Sequence, residues 1–254
     1  TGKTHTITHR IIQNLPQLKQ NQKILAITFT NKAAKEMQRR LETKMPQSLK
    51  QVTVGTFHRF ALSILREYAE YSPLQRDFQI ALPSDIQEFV QEIFPAKNPL
   101  QRKEALEKIS WVKSTQLVVD ANEDYQKYHR FLRAKGLIDF DDILREALML
   151  LENEEVLDQV REKYRYIFVD EYQDINIIQN ALLKVLVGEK GIMLTAIGDP
   201  NQSIYGFRGS QVSLFNRFAQ DFPGATQLYL TENYRSTVNL LTASTQVIAK
   251  EQTH

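Results

Sequence analysis

Several short runs in this 254-residue sequence carry residue types suited to phosphate chemistry. Gly2-Lys3-Thr4 matches the end of a phosphate-binding loop, G-x-x-x-x-G-K-[ST]. In such a loop, N–H groups at a helix N-terminus meet phosphate oxygens, the lysine reaches the outer phosphates, and the hydroxyl binds Mg2+. The tripeptide alone would equally suit an ordinary turn before a helix, because the motif's first glycine lies ahead of residue 1. Asp170-Glu171-Tyr172-Gln173-Asp174 follows the apolar run 166–169. Carboxylates at the C-terminal end of a parallel strand face the crevice where open α/β sheets bind ligands. There the first acid can hold Mg2+ while the second polarises an attacking water. A solvated acidic loop is the plainer alternative.

A third run, residues 198–209, sets the neutral amide of Gln202 close to Tyr205, Phe207 and Arg208. Tyr205 and Phe207 are two apart, so an extended segment projects both rings to one side. Such a pair beside an arginine suits base stacking along a single strand, although aromatics at this spacing are also ordinary core. In Asn233-Tyr234-Arg235-Ser236 the arginine could reach a γ-phosphate, and the tyrosine could offer a ring to adenine. Alone, that run is uninformative.

Elements must exist to position these groups. After the G-K-T run, Ile7, Ile11, Ile12 and Leu15 give an amphipathic helical spacing that Pro16 ends. Residues 23–30 read as a buried strand, 31–41 as a helix with Ala34, Met37 and Leu41 on one stripe, and 52–56 as a strand leading into a helix at 60–68. This alternation predicts a parallel sheet covered on both faces. From residue 72 to 136 the pattern predicts helices without strands: a short one opened by the capping box Ser84-Asp85-Ile86-Gln87, then 100–113 and 122–135, the last stopped by Gly136. Alternation then resumes, with helices at 143–151 and 179–187 and strands at 166–169, 192–197 and 227–230. The fold class expected is therefore α/β with a parallel sheet, plus an all-helical insertion.

Composition narrows the class further. Lys+Arg 32 against Asp+Glu 30 leaves a formal charge of +2, so nucleic-acid binding would need local basic groups rather than a global field. A hydrophobic share of 42% with 24% charged excludes a disordered or fibrous chain. No apolar run approaches the roughly 18 residues of a membrane span, the first residues do not resemble a secretory signal, and zero cysteines exclude disulfides and thiolate metal sites. A cytoplasmic location is the expectation.

Taken in order, G-K-T, T-F-T-N-K-A-A-K-E-M (28–37), G-T-F-H (55–58), L-I-D-F-D-D-I-L (137–144), D-E-Y-Q-D, G-D-P-N-Q-S-I-Y-G-F-R-G and T-E-N-Y-R-S resemble the superfamily 1 helicases of the UvrD/Rep/PcrA family. The resemblance spans nearly the whole chain and is weakest in the insertion. It implies a RecA-like P-loop NTPase domain, 1A, in two parts (1–71 and 137–236), a helical 1B insertion at 72–136, and the start of a second motor domain, 2A, at 237–254. It further implies ATP and Mg2+ as cofactors, single-stranded DNA and ss/ds junctions as partners, 3′–5′ movement, and repair or replication as setting. By position, Gly2 and Lys3 would bind the phosphates, Thr4 and Asp170 the Mg2+, and Glu171 would activate water. Gln202 would couple the γ-phosphate to the DNA site, Arg235 would be the arginine finger, and Tyr234 would stack on adenine. Phe29, Tyr205 and Phe207 would touch DNA bases, with His58 and Arg208 beside them. Lys35 stands where relatives often carry arginine, and Phe207 where some carry tryptophan. A non-catalytic nucleic-acid-binding or scaffold module, and the motor of a RecB/AddA-type helicase–nuclease, are the competing readings.

Other residues have plainer readings. His5 and His9 have an i,i+4 metal-binding spacing without the glutamate of a zincin. Asp139, Asp141 and Asp142 could suggest a second Mg2+ site, but acids at the start of a helix offset its dipole. Trp111, the only tryptophan, reads as local core, and His129, Arg130, Arg133 and Lys135 as a solvated helix face.

Overall fold

The apolar runs assemble into strands whose residues alternate between two hydrophobic layers. The computed structural model describes residues 2–46, 49–74, 76–117, 123–188 and 192–251. Residue 122 and residues 252–254, read above as parts of a helix and of the last segment, lie outside the described residues, as does the Arg208 side chain. The chain starts with α1 (Lys3–Asn14), β1 (Lys23–Ile27), α2 (Asn31–Lys44), β2 (Val52–Gly55) and α3 (Phe57–Glu67). It continues through β3 (Gln79–Ile80), α4 (Pro83–Ile93), α5 (Pro99–Thr115), α6 (Glu123–Ala134), β4 (Leu137–Ile138) and α7 (Phe140–Leu150). Next come α8 (Glu154–Lys163), β5 (Tyr164–Val169), α9 (Ile177–Val187) and β6 (Met193–Ala196). The short α10 (Val212–Asn216) and α11 (Phe218–Asp221) precede α12 (Val238–Glu251).

Four strands form one parallel sheet in the order β2-β1-β5-β6. With a period of two, Ile24, Ala26, Tyr166 and Phe168 fall on one face and pack with Ile7 and Ile11 of α1 and Met37 and Leu41 of α2. Leu25, Ile27, Ile167 and Val169 fall on the other, against Phe60 and Ile64 of α3, Ile143 and Ala147 of α7, and Leu182 and Leu183 of α9. Both faces are covered, as the alternation predicts and as parallel sheets require. The α/β class with a parallel sheet is what the chain adopts.

Helices α4, α5 and α6 enclose a smaller core of their own, with Ile93, Phe94, Ala105, Ile109, Tyr128 and Leu132. The expectation of no strands here is corrected: β3 and β4 pair in parallel, Gln79 with Leu137 and Ile80 with Ile138. Two-residue strands are too short to show a period. The first helix begins at Pro83, not after Ser84, because proline pre-sets the backbone for a first helical turn. Asp85 Oδ2 there accepts the Leu82 N–H at 2.8 Å. Residues 227–230 are not a strand: no ladder pairs them among the described residues, and Leu228 and Tyr229 are exposed. Trp111 is likewise not core, being 51% exposed and turned away from the stripe Ala105, Ile109, Lys113 that α5 buries.

That stripe ends in a buried cation. Lys113 Nζ lies 2.7 Å from Asp139 and 2.7 Å from Asp142, and Tyr128 donates its hydroxyl to Asp139 at 2.9 Å. Asp139 caps α7 reciprocally with Asp142, so the acids at this helix start serve the dipole and an ammonium ion together. Burial alone would lower the Lys113 pKa, but the two carboxylates outweigh it and hold the pKa above the ordinary lysine value. Arg133 pairs with the buried Glu146, and the His129 ring is half-buried, so part of the face read as solvated turns inward. Lys113→Met should cost about 3–5 kcal/mol of stability in urea denaturation, because it strands two buried carboxylates. Adding Asp139→Asn and Asp142→Asn to it should recover much of that loss.

Candidate functional site

The parallel register sets strand ends level, Ile27 beside Gly55 and Val169, and Val169 beside Ala196. The segments leaving those ends carry most of the residues singled out above. Gly2, in the left-handed region at φ 97°, turns the chain into α1. Glycine adopts that conformation without the cost a Cβ imposes. The first turn of α1 then presents N–H groups with no partner inside the helix, the arrangement that receives anions.

Lys3 Nζ donates to Glu171 Oε2 at 2.6 Å and to Gln202 Oε1 at 3.3 Å. The Thr4 hydroxyl stands 3.5 Å from Asp170 Oδ2, and Asp170 itself is fixed by its N–H to the Ile27 carbonyl at 2.9 Å. Burial, then the charge of Glu171, holds the Asp170 carboxyl above the usual carboxylate range. Lys3, Thr4, Asp170, Glu171 and Gln202 are thus brought together from three places in the chain. Their chemistry fits a magnesium–nucleotide: an amine and helix N–H groups for phosphate, and a hydroxyl beside a carboxylate for a hard cation.

Glu171 sits at φ 54°, the one non-glycine residue with positive φ among those described. Such a conformation costs of order 1–3 kcal/mol and persists only where surrounding contacts over-determine it. Here its N–H meets Asp170 Oδ1 at 3.0 Å, and its carbonyl accepts the Asp174 N–H at 3.0 Å. Its carboxylate accepts from Lys3 and, at 2.9 Å, from Gln173 Nε2.

Gln173 is the residue that spacing did not single out. Its buried amide donates to Glu171 and, at 3.2 Å, to Asp174 Oδ2, while its Oε1 accepts the Asp199 N–H at 3.0 Å. Ser203 Oγ donates to the Gln173 carbonyl at 3.3 Å, and Gln202 Nε2 to Asp199 Oδ2 at 2.7 Å. The loop after β6 is therefore tied side chain by side chain to the acidic cluster. Burial, with the Glu171 charge adding to it, pushes the Asp174 carboxyl up to about 6. The only signal in the sequence was membership of the D-E-Y-Q-D run.

That loop continues into the aromatic residues. Phe29, leaving β1, lies 4.6 Å from Tyr205 between ring centroids, and Tyr205 lies 6.0 Å from Phe207, which is 72% exposed. On the other side of the same edge, His58 at the start of α3 stacks on Phe140 at 3.8 Å. Phe140, 58% exposed, was also not singled out by spacing. Desolvation lowers the His58 pKa to about 4, so its ring is neutral near pH 7.

Two expected members stand apart. Arg235 is exposed, with no hydrogen bond or ion pair to the acidic cluster among the described residues, and Tyr234 is 83% exposed. Their segment is shaped by its own turn, in which Asn233 Oδ1 accepts the N–H groups of Arg235 and Ser236. His5 and His9 lie 5.1 Å apart, and no group of three histidine or acidic residues converges to hold a metal among the described residues. No described helix is long and apolar enough to cross a membrane.

Comparison with known proteins bears on the same residues. The family described as the UvrD/REP helicase N-terminal domain matches residues 1–223. The ATP-dependent DNA helicase PcrA of Staphylococcus epidermidis is 36% identical over 98% of this chain, and that of Staphylococcus aureus strain Mu50 is 34% identical over the same share. The chain spans 36% of the length of these relatives. With the sheet, the G-K-T turn and the D-E-Y-Q-D cluster in place, the chain belongs to the UvrD/REP helicase N-terminal domain family.

Proposed function

We propose that this chain is the first motor region of an ATP-driven DNA translocase and helicase, moving 3′–5′ on single-stranded DNA. Residues 1–71 and 137–236 make up the RecA-like domain in this reading, 72–136 the inserted 1B-like domain, and 237–254 the start of the second motor domain. The observation that carries it is the hydrogen-bonded path Lys3–Glu171–Gln173–Asp199, which joins a phosphate-binding turn to the loop bearing Tyr205 and Phe207.

Lys3 and the α1 N-terminus bind the outer phosphates, and Thr4 and Asp170 would hold Mg2+, which would neutralise charge on those phosphates. ATP supplies the phosphoryl group, whose transfer to water needs chiefly positioning and charge stabilisation. Glu171, fixed in its left-handed turn, orients and deprotonates the attacking water. Its ion pair with Lys3 holds both groups until phosphate oxygens compete for the ammonium. Gln202 touches Lys3 and Asp199 at once, so a change at the phosphates reaches the loop directly. Phe29, Tyr205 and Phe207 offer faces to bases, and the neutral His58 joins as a ring rather than a cation. Arg208 completes the strand-binding side. Tyr234 and Arg235 reach adenine and the γ-phosphate when the two motor domains close, which suits their exposed position here. Bound single-stranded DNA and ss/ds junctions are the substrates in this reading.

Tests belong in the full-length protein. Glu171→Gln should abolish DNA-stimulated ATP hydrolysis while nucleotide binding, followed with a fluorescent analogue, persists; unchanged turnover would refute the role. Tyr205→Ala with Phe207→Ala should weaken single-stranded DNA binding by about 1–3 kcal/mol per lost base contact in fluorescence anisotropy. Gln173→Glu places a third carboxylate against Glu171 and Asp174, and should reduce DNA stimulation of hydrolysis far more than DNA affinity. Histidine NMR should show His58 neutral down to about pH 4: its folded pKa lies below the unfolded value near 6.5, so its burial costs stability as pH falls through that window.

A further inference from the structure

Helix α5 touches both segments that carry the exposed aromatic rings. At about 100° per residue, Trp111 and Thr115 share the face of α5 turned away from the buried stripe that ends in Lys113, and Ser110 and Ser114 lie on the flank between that face and the stripe. At one end of that flank, Ser110 Oγ donates to Asp141 Oδ2 at 2.6 Å, next to Phe140. At the other, Ser114 and Thr115 meet Gly209: a Cβ built there would lie 2.9 Å from Ser114 Oγ and 3.2 Å from Thr115 Cγ2. Gly209 has φ 80°, so both its backbone conformation and the closeness of α5 call for glycine. The loop holding Tyr205 and Phe207 is thus wedged against the last turn of α5.

Trp111 lies one turn before Thr115 on the same face, and its carbonyl accepts the hydroxyls of both Ser114 (3.0 Å) and Thr115 (2.7 Å). Its indole is half exposed, as are Phe140 and Phe207 on the two adjoining segments. Neighbouring elements thus present exposed aromatic side chains at Trp111, Phe140 and Phe207, a surface suited to a ligand with flat apolar faces. Of the charges along α5 near Trp111, Lys113 is buried against Asp139 and Asp142, Glu107 pairs with Lys103 at 3.7 Å, and Lys108 alone gives no basic stripe. Contact there would fall on bases rather than phosphates.

We propose that Trp111 is a base-stacking residue for single-stranded DNA, extending the ring series Phe29, Tyr205, Phe207 from the sheet edge onto the inserted helices. The inference rests on reading those rings as the DNA-binding face. Its indole offers a larger stacking surface than the phenyl group of Phe207. Because it touches bases, it contributes affinity without adding to the salt dependence of binding.

In the full-length protein, Trp111→Ala should weaken single-stranded DNA binding roughly 5- to 150-fold, the range for one lost base–aromatic stack, with the slope of log K against log salt unchanged. Trp111→Phe should restore most of the affinity, which a general loss of folding would not allow. Irradiation of a bound oligonucleotide carrying 5-iodouracil should yield a cross-link that mass spectrometry maps to Trp111. If Phe207→Ala weakens binding while Trp111→Ala does not, and no cross-link reaches Trp111, this inference falls and the reading of the aromatic face stands. If neither substitution matters, the face itself has been misread and both fall.

Discussion

Everything at the site depends on the register of a parallel sheet. Because Ile27 pairs with Val169 and Val169 with Ala196, the chain leaves β1, β5 and β6 at one level. Parallel strands make this possible, since each must return through a helix and so exits on the same edge. A one-residue slip of β5 would exchange its two faces, put Ile167 and Val169 where Tyr166 and Phe168 now pack, and turn Asp170 away from Thr4. The hydrophobic alternation that fixes the register is therefore also what fixes the carboxylates.

Two polar assemblies sit on that frame and differ in kind. Around Lys113 the charges are buried and mutually satisfied, and their effect is to hold α5 against the first turn of α7. Such pairs add little net stability over apolar packing, but removing one partner is severe, so they select a single docking of the helices. Around Glu171 the groups are satisfied by one another only provisionally. Lys3 is paired to the residue assigned to water activation, and the pairing spans a strained backbone position. One assembly resists change and the other stores it.

Much of this was legible in the sequence, for definite reasons. Strands buried on both faces are short apolar runs, and β1, β2 and β5 show as such; helices with proline or glycine ends show their limits. The acidic run and the G-K-T turn each adjoin an element terminus, so locating the elements nearly located them. What stayed hidden depends on contacts distant in sequence. The α8 helix buries only Val156 and Val160 and carries a weak stripe. Trp111 looked like core because tryptophan usually is, while its side of α5 is set by Lys113, a residue type seldom buried. Residues 227–230 have a strand's composition and no neighbour to pair with among those described. The Gln173 amide and the His58–Phe140 stack are products of tertiary packing, and no local spacing announces them.

The parallel pair β3–β4 brings Gln79 and Leu137, the two feet of the inserted helices, to adjacent-strand distance. A segment anchored in that way behaves, for the sheet, as one long loop closed at its base. The entropy of closing such a loop grows only with the logarithm of its length. Lineages could therefore lengthen, shorten or exchange what lies between these feet at little expense to the four-stranded sheet and the side chains at its edge. The part least free to vary would be α5, since a graft must also present a partner for Asp139 and Asp142 and a flank that accepts Gly209.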